Sequence, residues 1–138
     1  MKKICFFAEK IDASGGIPRV VSVIANGLTE RNYQVSILSL TNENDGNGRY
    51  ELREEIAVAY LFRGVSLNYR KDYQKIERKL KRFFQRNHYD DIIVAGMDFV
   101  PFFKGVRKLA QNTKMIAWEH SNFIIGKKFG MRWRGRRI

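Results

Sequence analysis

Five short apolar runs, separated by amphipathic stretches, constrain this chain more than any other feature. They cover residues 4–8, 35–40, 56–62, 92–95 and 115–118. A continuous apolar run of that length fits a strand buried on both faces. Between the runs the spacing changes to that of helices. Ile17, Val20, Val21, Ile24, Ala25 and Leu28 form one stripe, expected to face the core, which stops near Arg31 and Asn32. Tyr73, Ile76, Leu80, Phe83 and Phe84 form a second, with Glu77 and Lys81 spaced for a helical ion pair. A third helix is expected over 99–109, with Pro101 tolerated in its first turn. Residues 42–48, rich in Asn, Asp and Gly, read as a mobile surface loop. Strand, helix, strand, strand, helix, strand, helix, strand predicts an α/β fold, a parallel sheet covered by helices.

The 138 residues suffice for a single domain, and a 44% apolar content suffices for its core. The net charge of +12 is concentrated in two places. Residues 70–86 hold eight basic and two acidic side chains, and residues 127–138 hold six basic and no acidic ones. The rest of the chain is neutral, which excludes a uniformly basic coat protein. A single cysteine, Cys5, excludes an internal disulfide framework and a multi-Cys zinc site. Two histidines are too few for a His-based metal cluster. No run reaches the roughly 18 apolar residues of a membrane span, and the apolar start is too short for a secretory signal. A cytoplasmic location is the default expectation.

Ligands of parallel sheets bind beyond the carboxyl ends of the strands. Residues 9–16, 96–98 and 119–123 leave those ends. The first connection closes with Ser14-Gly15-Gly16-Ile17-Pro18-Arg19 and opens a helix. Paired glycines admit a ligand close to the backbone, and a helix N-terminus offers N–H groups to an anion. Arg19 opposes the helix macrodipole there by roughly 0.3–1 kcal/mol, which a bound phosphate or carboxylate would relieve. The alternative is a tight turn with Arg19 in solvent. The loop is not the G-x-G-x-x-G dinucleotide fingerprint. His120, directly after Glu119, is either a hydroxyl-binding or acid–base group or a solvent-facing loop histidine. Asp98 reads as an N-cap, His88 as structural on the opposite edge, and Cys5 as core.

The basic features carry the same two-sided reading. Lys71, Lys75, Arg78, Lys79 and Arg82 fall away from the second helix's apolar stripe. They form either a solvated face or a contact for anionic lipid or nucleic acid. The tail 127–138 interleaves Arg132, Arg134, Arg136 and Arg137 with Phe129, Met131 and Trp133. That suits an anionic membrane surface, single-stranded nucleic acid, or apolar side chains covered in a longer chain. Residues 127–138 carry no helix stop signal, so the chain is expected to continue.

The first strand, the loop ending Gly15-Gly16-Ile17-Pro18-Arg19 and the helix continuing to Leu28 resemble the start of family 4 glycosyltransferases. Residues 33–40 are similar to their second strand, and Trp118-Glu119-His120-Ser121-Asn122-Phe123 resembles their fifth-strand loop. The resemblance covers nearly the whole chain. It implies a Rossmann-like, acceptor-side N-terminal domain over 1–138, one half of a two-domain enzyme with the active site in the cleft between the halves. The donor-binding domain, with its Glu-x7-Glu motif, is absent from this sequence. It further implies that Gly15 and Gly16 lie against the donor diphosphate or the acceptor, with Arg19, Glu119, Ser121 and Asn122 nearby. His120 would orient the transferred sugar. The implied reaction retains anomeric configuration and uses a nucleotide-sugar as substrate, with no cofactor and no metal. The implied acceptor is a saccharide or lipid-linked saccharide of surface polysaccharide synthesis. The two basic features then fit an anionic membrane at its inner face, with no call for nucleic acid. A different reading is a non-catalytic basic module for nucleic acid or anionic membrane, and a third is a subunit that pairs with a separate C-terminal partner.

Overall fold

The computed structural model describes residues 1–43 and 50–119. The elements run β1 (Lys3–Ala8), α1 (Gly16–Glu30), β2 (Gln34–Ser39), β3 (Ala57–Tyr60), α2 (Tyr73–Arg86), β4 (Asp91–Ala95), a 3-10 helix (Met97–Phe103), α3 (Lys104–Leu109) and β5 (Lys114–Trp118). All four strand pairings are parallel, in the order β3-β2-β1-β4-β5. This is the Rossmann-like sheet expected from the sequence. Most of the loop at 42–48, and everything from His120 onward, lies outside the described residues.

β1 occupies the centre because its side chains are apolar on both faces. Ile4 and Phe6 point to the side covered by Val21 and Ala25 of α1. Cys5 and Phe7 point to the side covered by Ile76, Leu80 and Phe84 of α2 and Val106 of α3. β2 and β4 repeat the alternation, with Val35, Ile37 and Ala95 on the first face and Leu38, Ile92 and Val94 on the second. The second face is rich in aromatic rings. Phe7 meets Phe103 at 5.0 Å and Phe99 at 5.7 Å, both edge to face. Such pairs add about 0.5–1.5 kcal/mol beyond the area they bury.

Four local expectations are corrected. The α1 stripe is narrower than its apolar spacing implies. Its contact line runs along Ile17, Val21, Ala25 and Leu28, while Val20 and Ile24 are 36% and 38% exposed. The small Ala25 side chain lets the helix settle close to the sheet, which turns the neighbouring flank outward. Ser22 is buried instead, and its hydroxyl is satisfied by donating to the Pro18 carbonyl at 2.7 Å.

The expected helix over 99–109 is two elements, because Pro101 lies inside the 3-10 helix and α3 begins only at Lys104. A proline in a full α-turn would clash with the carbonyl four residues back, and the tighter 3-10 turn avoids that contact. The N-cap of this helix is Gly96, with Asp98 inside its first turn rather than capping it. Finally, Glu77 and Lys81 form no ion pair among the described residues. Both side chains lie against Gly105, where a Cβ would come within 2.6 Å of the Lys81 Cδ. Gly105 therefore lets α3 pack close over α2.

Candidate functional site

In this sheet every strand delivers its carboxyl end to the same edge. The chain crosses from β1 to β2 on one side, and β4 lies on the other, so the order reverses between β1 and β4. The connections leaving those two strands diverge toward opposite faces and leave a crevice. A cleft of about 370 Å³ occupies that point. It is lined by residues 8–10 after β1, by residues 13–18 leading into α1, and by Ala95 and Phe99 at the end of β4 and beyond.

The β1–α1 connection is held from below. The buried Ser39 hydroxyl, at the end of β2, accepts the Ile11 N–H at 3.0 Å and donates to the Thr41 carbonyl at 2.7 Å. Asp12 accepts the Glu43 N–H at 2.8 Å. Lys10 pairs with Glu43 at 3.0 Å, and that hydrogen bond raises the lysine's pKa. These contacts fix the loop at two points before it turns into α1.

The two glycines then play different parts. Gly15 has φ 140° and ψ 176°, a backbone region open essentially to glycine alone. That conformation reverses the chain into the helix. Gly16 is the first residue of α1, and a Cβ placed on it would meet nothing within 4 Å. The fold supplies no steric reason for glycine at this position. The missing side chain leaves open space over the cleft wall, where a ligand can approach the backbone.

Electrostatics favour an anion there. No side chain caps α1, and its first turn holds no acidic residue. The Arg19 N–H bonds the Gly15 carbonyl at 3.3 Å, and Pro18 has no N–H to offer. The N–H groups of Gly16 and Ile17 have no partner among the described residues. Two aligned donors at the positive end of a 15-residue helix make a receptive position for a phosphate or carboxylate oxygen.

The remaining expected site residues are placed as follows. Arg19 is exposed in the first turn of α1 and takes no part in lining the cleft. Glu119 is half-buried, immediately after β5. His120, Ser121 and Asn122 lie outside the described residues. β5 nonetheless ends at the right edge, since Trp118 pairs in register with Ala95 of the cleft lining. The Gly96 N–H bonds the Trp118 carbonyl at 3.0 Å. His88 is exposed between α2 and β4, at the opposite edge. Cys5 is fully buried, and desolvation raises its thiol pKa, which keeps the sulfur protonated. Among the described residues, no three His, Cys, Asp or Glu side chains gather as a metal site.

Sequence reasoning passed over Glu9, Tyr69 and Phe99. The Tyr69 hydroxyl donates to the Glu9 carboxylate across 60 positions of sequence. No local pattern could announce that pairing.

The division of labour between the glycines is testable by urea denaturation. Gly15→Ala forces a side chain into a glycine-only conformation and is expected to cost about 1–3 kcal/mol. Gly16→Ala adds a methyl group in open space inside a helix and is expected to leave stability unchanged or raise it by up to ~1 kcal/mol. Equal destabilisation by both would contradict this account.

Comparison with known proteins shows the family and the fold. The model of Glycosyltransferase Family 4 matches residues 14–138. An uncharacterized glycosyltransferase of Haemophilus influenzae is 32% identical over 123 residues, covering 89% of this chain and 33% of its own length. Sucrose-phosphate synthase of Thermosynechococcus elongatus is similar in structure with a TM-score of 0.69 at 13% identity, over 93% of this chain and 35% of the synthase. The C-terminal domain of a Pyrococcus furiosus hydrogenase also shares the fold, with a TM-score of 0.52 at 20% identity, over 84% of this chain and 90% of that domain. At those identities the two solved structures speak to the fold alone. The chain spans about a third of the Haemophilus relative's length. With the family match running from Ser14 to the last residue, the chain belongs to glycosyltransferase family 4.

Proposed function

We propose that this chain forms the acceptor-side half of a retaining transferase, with the donor diphosphate seated on the N-terminus of α1. The observation that carries the reading is Gly16. A position that the fold does not require to be glycine stays without a side chain beside two unpartnered N–H donors. A diphosphate supplies the negative charge and the close backbone approach that this arrangement suits.

In the proposed reaction an acceptor hydroxyl attacks the anomeric carbon from the face that the diphosphate leaves. The new C–O bond forms as the sugar–phosphate bond breaks, and the departing phosphate takes the hydroxyl proton. The α1 N–H groups stabilise the charge that grows on the leaving group, in a position fixed before reaction. His120 orients the sugar, a role supported by β5 delivering its carboxyl end beside Ala95. Glu119, Ser121 and Asn122 are proposed to contact the substrates with it. The remaining donor contacts are proposed to need a second domain like the other two-thirds of the Haemophilus relative. The 138-residue chain by itself is therefore expected to turn over no nucleotide-sugar.

A saccharide acceptor carried on lipid fits the basic face of α2. Lys71, Lys75, Arg78 and Arg82 are exposed and make no ion pair among the described residues. Lys79 differs from them, because its ammonium lies 4.5 Å from the Phe62 ring centroid and donates to the Leu61 carbonyl at 3.1 Å. Lys75 also reaches toward Phe62, at 5.6 Å. Arg132, Arg134, Arg136 and Arg137 would extend the same attraction and lie outside the described residues. No described helix is long and apolar enough to cross a membrane. Docking is thus proposed to be peripheral and electrostatic.

Two measurements test these proposals. In a protein carrying this chain with its remaining two-thirds, Gly16→Val is expected to lower transfer by about a hundredfold through misplacement of the donor, with the urea midpoint held. Unchanged turnover would refute the diphosphate seat. Vesicles containing phosphatidylglycerol are expected to bind the chain at low salt and release it at high salt, and Arg78→Glu with Arg82→Glu is expected to weaken binding by about tenfold. Salt-independent binding would contradict the docking proposal.

A further inference from the structure

Glu9 brings a carboxylate to the cleft, beside a Lys10 whose ammonium is paired with Glu43. Glu9 is the first residue beyond β1, is half-buried, and lines the same cleft as the start of α1. A carboxylate there repels a phosphate. It accepts hydrogen bonds well from hydroxyl groups, and charge-assisted bonds of that kind are about twice as strong as neutral ones. Phe99 adds an apolar surface to the same lining.

Glu9 is held in place from a distant part of the chain. Tyr69 donates its hydroxyl to one carboxylate oxygen, Oε1. The other oxygen has no partner among the described residues. Lys10, the nearest cation in sequence, is engaged with Glu43. Tyr69 is itself clamped. Its ring meets Phe99 at 5.8 Å and Phe102 at 6.3 Å. Its backbone lies in a turn where Asn68 Oδ1 accepts the Arg70 and Lys71 N–H groups, both at 3.1 Å, and Asp72 accepts the Asn68 N–H at 2.9 Å. Gly96 clears room for the same assembly, since a Cβ there would come within 3.2 Å of the Phe99 ring. The outcome is a cleft-lining carboxylate with one oxygen held by Tyr69 and the other without a partner among the described residues, an arrangement with little rotamer entropy left to lose on binding.

We propose that Glu9 and Phe99 form a hydroxyl-binding subsite for the pyranose ring of the acceptor, with Tyr69 as the positioning residue that fixes Glu9. This inference rests on the diphosphate seat proposed above, and it assigns another part of the same cleft. The cleft then has a polarity: phosphate toward α1, sugar hydroxyls toward β1.

The test uses the isotope-labelled 138-residue chain and two probes, inorganic pyrophosphate and a set of methyl hexopyranosides of gluco, galacto and manno configuration. Backbone amide shifts report where each probe binds. Pyrophosphate is expected to perturb Gly16 and Ile17, and at least one hexopyranoside to perturb Glu9, Gly96 and Phe99. Glu9→Gln, which keeps size and loses charge, is expected to weaken the sugar response by about tenfold. Tyr69→Phe is expected to weaken it as well, with the pyrophosphate response and the urea midpoint unchanged. That split separates positioning from general loosening of the fold. A sugar response that survives Glu9→Gln, or no sugar response where pyrophosphate still binds, overturns the subsite. Loss of the pyrophosphate response in the unmodified chain overturns the diphosphate seat instead. If Tyr69→Phe weakens both probes equally, Tyr69 is structural and its positioning role is refuted.

Discussion

Parallel pairing of β1 with β2 on one flank and β4 on the other is the constraint from which the rest of this molecule follows. A strand in that position is buried on both faces, so it must be apolar throughout, and β1 is. Its two neighbours must be reached by crossovers on opposite faces, which places α1 against Ile4 and Phe6 and places α2 against Cys5 and Phe7. Both loops at the carboxyl edge then bend away from each other. The cleft is therefore a geometric consequence of strand order, and its lining is whatever sequence occupies residues 9–18 and 95–99.

That lining is chemically divided. One side offers helix N–H groups beside a glycine that has no steric duty in the fold. The other offers a carboxylate locked by a phenol from the β3–α2 connection. Opposite charges across a cleft of about 370 Å³ set a direction for any ligand with an anionic end and a hydroxylated end. A glycosyl transfer brings together one group of each kind.

The central strands β1 and β4 were legible in the sequence because burial on both faces writes an apolar run, whereas the edge strands β3 and β5, expected to be buried on both faces, are apolar but only partly covered. Gly15 and Gly16 were legible as a turn into a helix, although only the backbone angles separate the structural glycine from the open one. The core face of α1 was not fully legible. Val20 and Ile24 are as apolar in character as Val21, and only the way α1 packs on the sheet decides which of them is covered. The 3-10 segment was hidden because Pro101 is equally at home in the first turn of an α-helix. The Glu9–Tyr69 contact joins residues 60 apart and depends on a turn built from Asn68 and Asp72. Periodicity carries no record of such a contact.

The most direct test of the central claim is a crystal structure of this chain, joined to the remaining two-thirds of a family 4 glycosyltransferase, bound to a nucleotide-sugar or its nucleoside diphosphate product. The account predicts phosphate oxygens within hydrogen-bonding distance of the Gly16 and Ile17 N–H groups, with the sugar side of the cleft opening toward Glu9. A diphosphate bound away from the N-terminus of α1, with those two groups left in solvent, would contradict it.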